Sequence, residues 1–237
     1  MSSGVKNLVV KPINAKRAAQ FVKANHYSGK VVVNSQLHFG VFQNGKLEGV
    51  LQYGPSLRKH FTIGLVAGTG WNEFLELNRM VFTDALPRNS ESRCIAYTLR
   101  LIKKHYPHLK WIISFADGTQ CGDGTIYRAT GFVLTGIKKN VGLRVNPATG
   151  ETMQQMQAYH LKIDKEFRKW PALEGYQFRY IYFLQPECRN KLQVEEIPFA
   201  EIQRRKVGMY KGIKRDKQAM TETIGTAAVQ LRPSRSN

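Results

Sequence analysis

Asp117 ends the apolar run Trp111-Ile112-Ile113-Ser114-Phe115-Ala116, and a polar stretch containing Gly118, Gly122 and Gly124 follows at once. The run has the length and content of a buried strand, which places the carboxylate at a strand's carboxyl edge, where open α/β sheets bind their ligands. A carboxylate in that position is a candidate general base. Tyr127 comes next, on a short predicted helix within Tyr127-Arg128-Ala129-Thr130-Gly131-Phe132. Its hydroxyl is a candidate acid or positioning group, although the spacing by itself favours a packed core ring.

A second constellation surrounds a predicted helix that begins near Ser90, with Ile95, Leu99, Ile102 and Tyr106 at helical spacing and Pro107 as its stop. Asn89 or Ser90 is the expected cap. Arg88, Ser90, Ser92 and Arg93 flank the free N–H groups of the first turn, a favourable place for a phosphate. An ordinary capped helix is the plainer reading. Arg79, near the end of the predicted central strand Phe74–Phe82, can hold donor phosphate or carboxyl oxygens; the alternative is an ion pair with Glu76 or Asp84. His26 and Tyr27 follow the first predicted helix in a loop, where the plain reading is a solvated His beside a packed Tyr.

These residues need a scaffold, and its pieces are legible. A strand ending at Pro12 precedes a helix over Ala15–Ala24, with Asn14 as its cap. Leu37–Phe42 and Leu47–Tyr53 form a predicted hairpin about Asn44-Gly45. Further strands are predicted over Phe132–Lys138, Met153–Ile163 and Tyr176–Leu184, and the stretch Gly54–Gly70 reads as irregular. The fold class is α+β: a mixed central sheet flanked by helices, with a C-terminal strand and a basic extension. Residues 1–185 are expected to form the catalytic domain, 186–212 an extension packed on it, and 213–237 a flexible basic tail.

With 36 Lys and Arg against 17 acidic residues, the formal charge is +19. Such an excess attracts polyanions, so nucleic acid is the leading partner and an acidic membrane surface the second. From Gln203 onward nine basic residues face two acids. Lys138, Lys139, Lys211, Lys214, Arg215 and Lys217 are the expected contacts to DNA phosphates. No apolar run is long enough to span a bilayer, and the first residues lack the apolar core of a secretion signal, so cytoplasm is expected. Cys94, Cys121 and Cys188 form no CxxC pair. His26, His38, Asp117 and Cys121 could supply mixed metal ligands, but none stands at a metal-binding spacing, which leaves the metal unknown.

The succession of mixed strands, phosphate-friendly helix start and Tyr-x-x-x-Gly-Phe element resembles the GNAT acyltransferase fold, in which two central strands splay and the acyl donor lies between them. A sharper likeness is carried by Asn25-His26-Tyr27-Ser28, Leu37-His38-Phe39-Gly40-Val41-Phe42, Glu76-Leu77-Asn78-Arg79-Met80 and Pro87-Arg88-Asn89-Ser90-Glu91-Ser92-Arg93. Together these resemble the Mom family of bacteriophage DNA-modification proteins, over most of residues 5–215. The resemblance implies a transferase that puts a carbamoylmethyl, glycinamide-type group on the exocyclic amine of adenine in double-stranded DNA, protecting it from host restriction in the host cytoplasm. It also implies that His26, Tyr27, Arg79, Ser92, Asp117 and Tyr127 matter, with His26 and Tyr27 in a loop suited to holding or stacking an extruded base, and it leaves iron open as a cofactor.

Arg88–Arg93 lacks the glycines that let a CoA pyrophosphate approach the backbone, which favours glycyl-tRNA as donor over acetyl-CoA and adds tRNA to the expected partners. Gly118 joins the donor-binding candidates. Two other functions compete: a basic DNA-binding protein without catalysis, and a CoA-dependent small-molecule or protein N-acetyltransferase.

Overall fold

The computed structural model describes residues 8–26, 29–210 and 213–214. The order of elements is β1 (Leu8–Pro12), α1 (Ala15–Asn25), β2 (Leu37–Gln43), β3 (Lys46–Gly54), α2 (Lys59–Thr62), β4 (Phe74–Phe82), α3 (Ser90–His105), β5 (Trp111–Asp117), α4 (Thr125–Arg128), β6 (Val133–Lys139), β7 (Leu143–Val145) and β8 (Thr152–Gln154). It continues with α5 (Gln155–His160), α6 (Asp164–Phe167), β9 (Tyr176–Phe183), α7 (Ala200–Arg204), β10 (Met209–Tyr210) and β11 (Ile213–Lys214). Seven strands form one sheet in the order β1-β2-β3-β4-β5-β9-β6. The sheet is mixed, since β1 to β4 pair antiparallel and β4 pairs parallel with β5. The α+β class expected from the pattern is therefore the one observed.

Contacts group the chain into two compact units. The first is Met1–Phe115, Gly124–Gly136 and Arg179–Ile197; the second is Ala116–Asp123, Ile137–Phe178 and Pro198–Asn237. In the first unit Asn14 caps α1 by accepting from Arg17 N–H at 2.8 Å, and Ala18 and Val22 put the helix's apolar stripe against Val50 and Val81. On the opposite face of β3, the Tyr53 hydroxyl meets Thr98 of α3 at 2.6 Å. Phe74 and Trp111 stack at 4.2 Å at the start of β4 and β5, in a cluster with Leu65, Val66, Ile113, Ile181 and Cys188. The hairpin turn has positive φ at Asn44 and Gly45, as a two-residue loop demands.

Three expectations need correction. The stretch Met153–Ile163 is not a strand: β8 stops at Gln154 and α5 begins at Gln155, where the Gln157 side chain accepts from Gln154 N–H at 3.1 Å and ties down the first turn. The irregular stretch Gly54–Gly70 contains α2 and a following 3₁₀ turn at Ile63–Leu65. Asn89 is left-handed, φ 67°, and makes no side-chain cap to α3. Most of the basic tail, with Lys211, Arg215 and Lys217, lies outside the described residues, as does Tyr27. Among the described residues no helix is long and apolar enough to cross a membrane.

Candidate active site

In the first unit two central strands diverge. β4 and β5 pair only through Phe74–Glu76 and Trp111–Ile113, although β4 continues to Phe82. Where the ladder stops, Ser114 Oγ donates to Leu77 O at 3.1 Å, so a side chain replaces a backbone partner. On its other side β4 carries a bulge: Gln52 faces Arg79 and Tyr53 faces Leu77, which leaves Asn78 as the extra residue. Bulges re-aim side chains, and this one lies between Glu76 and Arg79.

Arg79 donates from Nε to Lys30 O and from Nη1 to Asn78 O, both at 3.1 Å, so the loop after α1 is tied to the end of β4. Its charge reaches two titratable groups. Burial, reinforced by the Arg79 guanidinium, lowers His26 to about 4, so the imidazole is neutral at physiological pH. Glu76 is pushed up by burial, against the opposing effects of the Ser56 hydroxyl, Arg79 and a Leu57 backbone bond. His26 and Arg79, predicted separately from the sequence, are thus brought to one place, and Glu76 joins them. The plain reading of Glu76 as mere partner of Arg79 missed its burial, which no local pattern announced.

Beside Glu76 and Arg79, His38 of β2 and Gln52 of β3 share a face of the sheet by register. Gln52 Nε2 lies 2.9 Å from His38 Nδ1, and burial lowers the His38 pKa. Gln52 and Asn78 are polar residues in the middle of otherwise buried strands, which was the available sequence signal for both.

The α3 turn is differently built. Ser90 is buried and donates to Pro87 O at 2.6 Å; Ser92 donates to Asn89 O at 3.2 Å. Both hydroxyls serve the turn itself. Arg88 and Arg93 are exposed beside it, which leaves cationic side chains at the helix start.

Asp117 and Gly118 belong to the second unit. Asp117 Oδ1 accepts from Thr119 N–H at 3.0 Å, and its carbonyl accepts from Cys121 N–H at 2.8 Å, so the residue organises the glycine-rich loop. A Cβ on Gly118 would stand 2.7 Å from Tyr176 O and 2.8 Å from Met209 Cγ, so close packing by itself demands glycine there. Lys138 and Lys139 are exposed at the end of β6. Lys214 is in the two-residue strand β11. Tyr127, in the first unit, is 6% exposed with its ring 5.3 Å from Phe132 and 5.1 Å from Tyr180.

No group of three or more His, Cys, Asp or Glu among the described residues could hold a metal ion, so the iron left open by the resemblance finds no ligand set there.

Comparison with known proteins follows the same lines. Over 203 residues the chain is 34% identical to the methylcarbamoylase Mom of Escherichia phage Mu, covering 81% of this chain and 82% of that protein. An acetyltransferase of the GNAT family from Streptococcus pneumoniae aligns over 74% of this chain and 98% of its own, at 12% identity and a TM-score of 0.44. An N-acetyltransferase from Staphylococcus aureus aligns over 76% and 100%, at 11% identity and 0.46. A profile of the Mom protein family matches residues 7–201, and with that span and the phage Mu relative the chain belongs to the Mom protein family.

Proposed function

We propose that this chain is a DNA-modifying transferase that places a carbamoylmethyl group on the exocyclic amine of adenine, protecting phage DNA from restriction in the host cytoplasm. The observation that carries the reading is the 34% identity to a methylcarbamoylase over four-fifths of the chain. The half-buried His26, Arg79 and Glu76 at the diverging end of β4 support it, because transfer to a weakly nucleophilic amine needs a proton acceptor and a cation for the developing oxyanion. Burial raises the Glu76 carboxyl above its ordinary value, which makes it a better proton acceptor than an exposed carboxylate. Glu76 therefore joins Asp117 as a candidate base, with Tyr127 as the candidate acid or positioning hydroxyl and His26 and Tyr27 as the candidate holders of the base. Arg88, Ser90, Ser92, Arg93 and Gly118 remain the candidate donor-binding residues.

The donor in this reading is glycyl-tRNA. The adenine amine attacks the ester carbonyl, loses a proton, and the tRNA ribose oxygen leaves with one, giving a glycyl amide. The free glycyl amine then adds to the ring carbon through a five-membered ring, and the original carbon–nitrogen bond breaks. The former exocyclic nitrogen becomes the terminal amide. The second stage is an isomerisation and needs no redox partner. A net charge of +19 suits two polyanionic substrates, with Lys138, Lys139, Lys211, Lys214, Arg215 and Lys217 reaching phosphates.

The test is nucleoside mass spectrometry of plasmid DNA from bacteria expressing the chain and given ¹⁵N-glycine. The expected product carries the label on the nitrogen attached to the ring. Unmodified adenine in cells with folded protein would overturn the transferase, and an unlabelled product would overturn the glycine donor alone.

A further inference from the structure

The segment between β3 and β4 turns two large apolar side chains outward beside the candidate proton acceptor. Leu57 is 76% exposed and Phe61 81%. A single exposed apolar side chain needs no explanation, but these two stand four residues apart on a segment that is anchored to the core on both sides of them. Lys59, between them, is buried, with its ammonium 4.5 Å from the centre of the Trp71 ring and 5.6 Å from that of Phe74. Farther on, Leu65 and Val66 belong to the cluster of Phe74 and Trp111. On the other side, Glu76 accepts from the Ser56 hydroxyl and from the Leu57 backbone N–H. The candidate proton acceptor is thus hydrogen-bonded to the very residue whose side chain stands in water.

Helix capping does not account for Leu57. It precedes Arg58, the N-cap of α2, a position from which an apolar side chain ordinarily packs on the fourth residue of the helix. That residue is Thr62, a buried side chain whose hydroxyl is turned to the carbonyls of Arg58 and Lys59, at 3.2 Å each. The surrounding charge is of one sign. From Gly49 to Asn72 the chain has no Asp or Glu, and Arg58 and His60 are exposed beside the apolar pair. Apolar side chains set among cations fit a partner that is anionic outside and apolar within, and a stacked duplex is such a partner.

We propose that Leu57 and Phe61 form the wedge that enters the base stack when adenine is extruded, filling the gap it leaves, while Arg58 and His60 meet the flanking phosphates. This rests on the reading of the chain as an adenine-modifying enzyme and assigns the step that brings the amine out of the duplex. An adenine leaving the helix gives up its stacking and its pairing, and an apolar side chain inserted at the vacated step offsets part of that loss. An acidic membrane surface would also accept apolar side chains among cations, but it gives no reason for joining them to the carboxylate that takes the proton.

The test is permanganate oxidation of plasmid DNA saturated with the protein, without any donor. Permanganate attacks thymines that have lost their stacking, so an extruded adenine reports through its orphaned partner whatever the target sequence. The unsubstituted protein is expected to create reactive thymines. Leu57→Ala combined with Phe61→Ala should lower that reactivity by about tenfold or more, and Leu57→Met combined with Phe61→Leu, which keeps apolar bulk, should restore it. Both side chains are exposed, so the fold does not depend on them. Absence of protein-dependent reactivity would overturn the proposal, as would unchanged reactivity in the double alanine variant. If that variant instead lost binding to vesicles of acidic lipid and kept its thymine reactivity, the pair would belong to a membrane contact. The two readings fail separately: reactive thymines that depend on the pair, with no glycinamide product in plasmid DNA, sink the transferase, whereas undiminished product from the double alanine variant sinks the wedge.

Discussion

Two loops that resemble binding sites in the sequence spend their polar groups on themselves, whereas the β4 bulge does not. In the α3 turn, Ser90 and Ser92 hydroxyls donate to carbonyls of their own turn, and the turn is complete without a ligand. The Asp117 loop is similar, with a carboxylate oxygen spent on Thr119 N–H and Thr119 Oγ1 accepting in turn from Asn140 at 2.9 Å. Around the β4 bulge the opposite holds: one side-chain amide atom each of Asn34, Gln52 and Asn78 is buried and unpaired. A polar group satisfied within its own loop explains itself by structure. One that is buried and left without a protein partner carries its desolvation cost without that return, which sets this region apart from the two loops.

The strongest way to break this contrast is to remove the proton acceptor proposed at the bulge. Glu76→Gln keeps the shape and is expected to lower adenine modification by about 10²–10⁴-fold, the usual range for general acid–base groups, with the same melting temperature within a few degrees. Gly54→Ala tests the close approach of the Asn34 loop, since its Cβ would stand 2.5 Å from Asn34 O. Overpacking of that kind costs about 1–3 kcal/mol in denaturant unfolding.

The Asp117 loop should respond in another way. Asp117→Ala is expected to lose about 1 kcal/mol of stability with its Thr119 bond, and Asp117→Asn to recover that stability by keeping the oxygen. If Asp117 also moves a proton, both variants lose product; product retained by Asp117→Asn would confine the residue to its loop. Acid titration sharpens the first region. The His26 pKa falls from 6.5 to about 4 on folding, so the unfolded chain takes up a proton that the folded chain refuses, and stability falls as pH drops from about 6.5 and levels off below about 4. Glu76, raised on folding, works in the opposite sense from its ordinary value of 4.5 upward. His26→Gln should flatten the acid limb of a stability–pH curve between those limits. The smallest effect belongs to Ser92→Ala, about 0.5–1 kcal/mol, because its hydroxyl serves one half-exposed turn.

Much of the scaffold was legible because it rests on local chemistry. Alternation and apolar runs located β2, β3, β4, β5 and β9, Asn14 marked the start of α1, and Asn44-Gly45 marked the hairpin. The Met153–Ile163 strand was not borne out because Gln154 and Gln157, at capping spacing, carried the stronger local instruction and start a helix there. The site was half legible. His26, Arg79 and Asp117 announce themselves as polar residues at element ends. Asn34, Gln52 and Asn78 do not, because Asn and Gln are unremarkable until burial leaves them unpaired.

The sequence by itself determined the kinds of elements, most of their limits, the excess of positive charge and the family, since each depends on residue type and near spacing. Only the tertiary structure decided that β9 inserts between β5 and β6, that Asn78 is the bulged residue of β4, and that Gln52 and Asn78, far apart in the chain, present unpaired amides on neighbouring strands. The reason is register. A strand's pairing and the residue left over at a bulge are set by long-range contacts summed over whole strands, and a shift of one residue would turn each of these side chains to the other face.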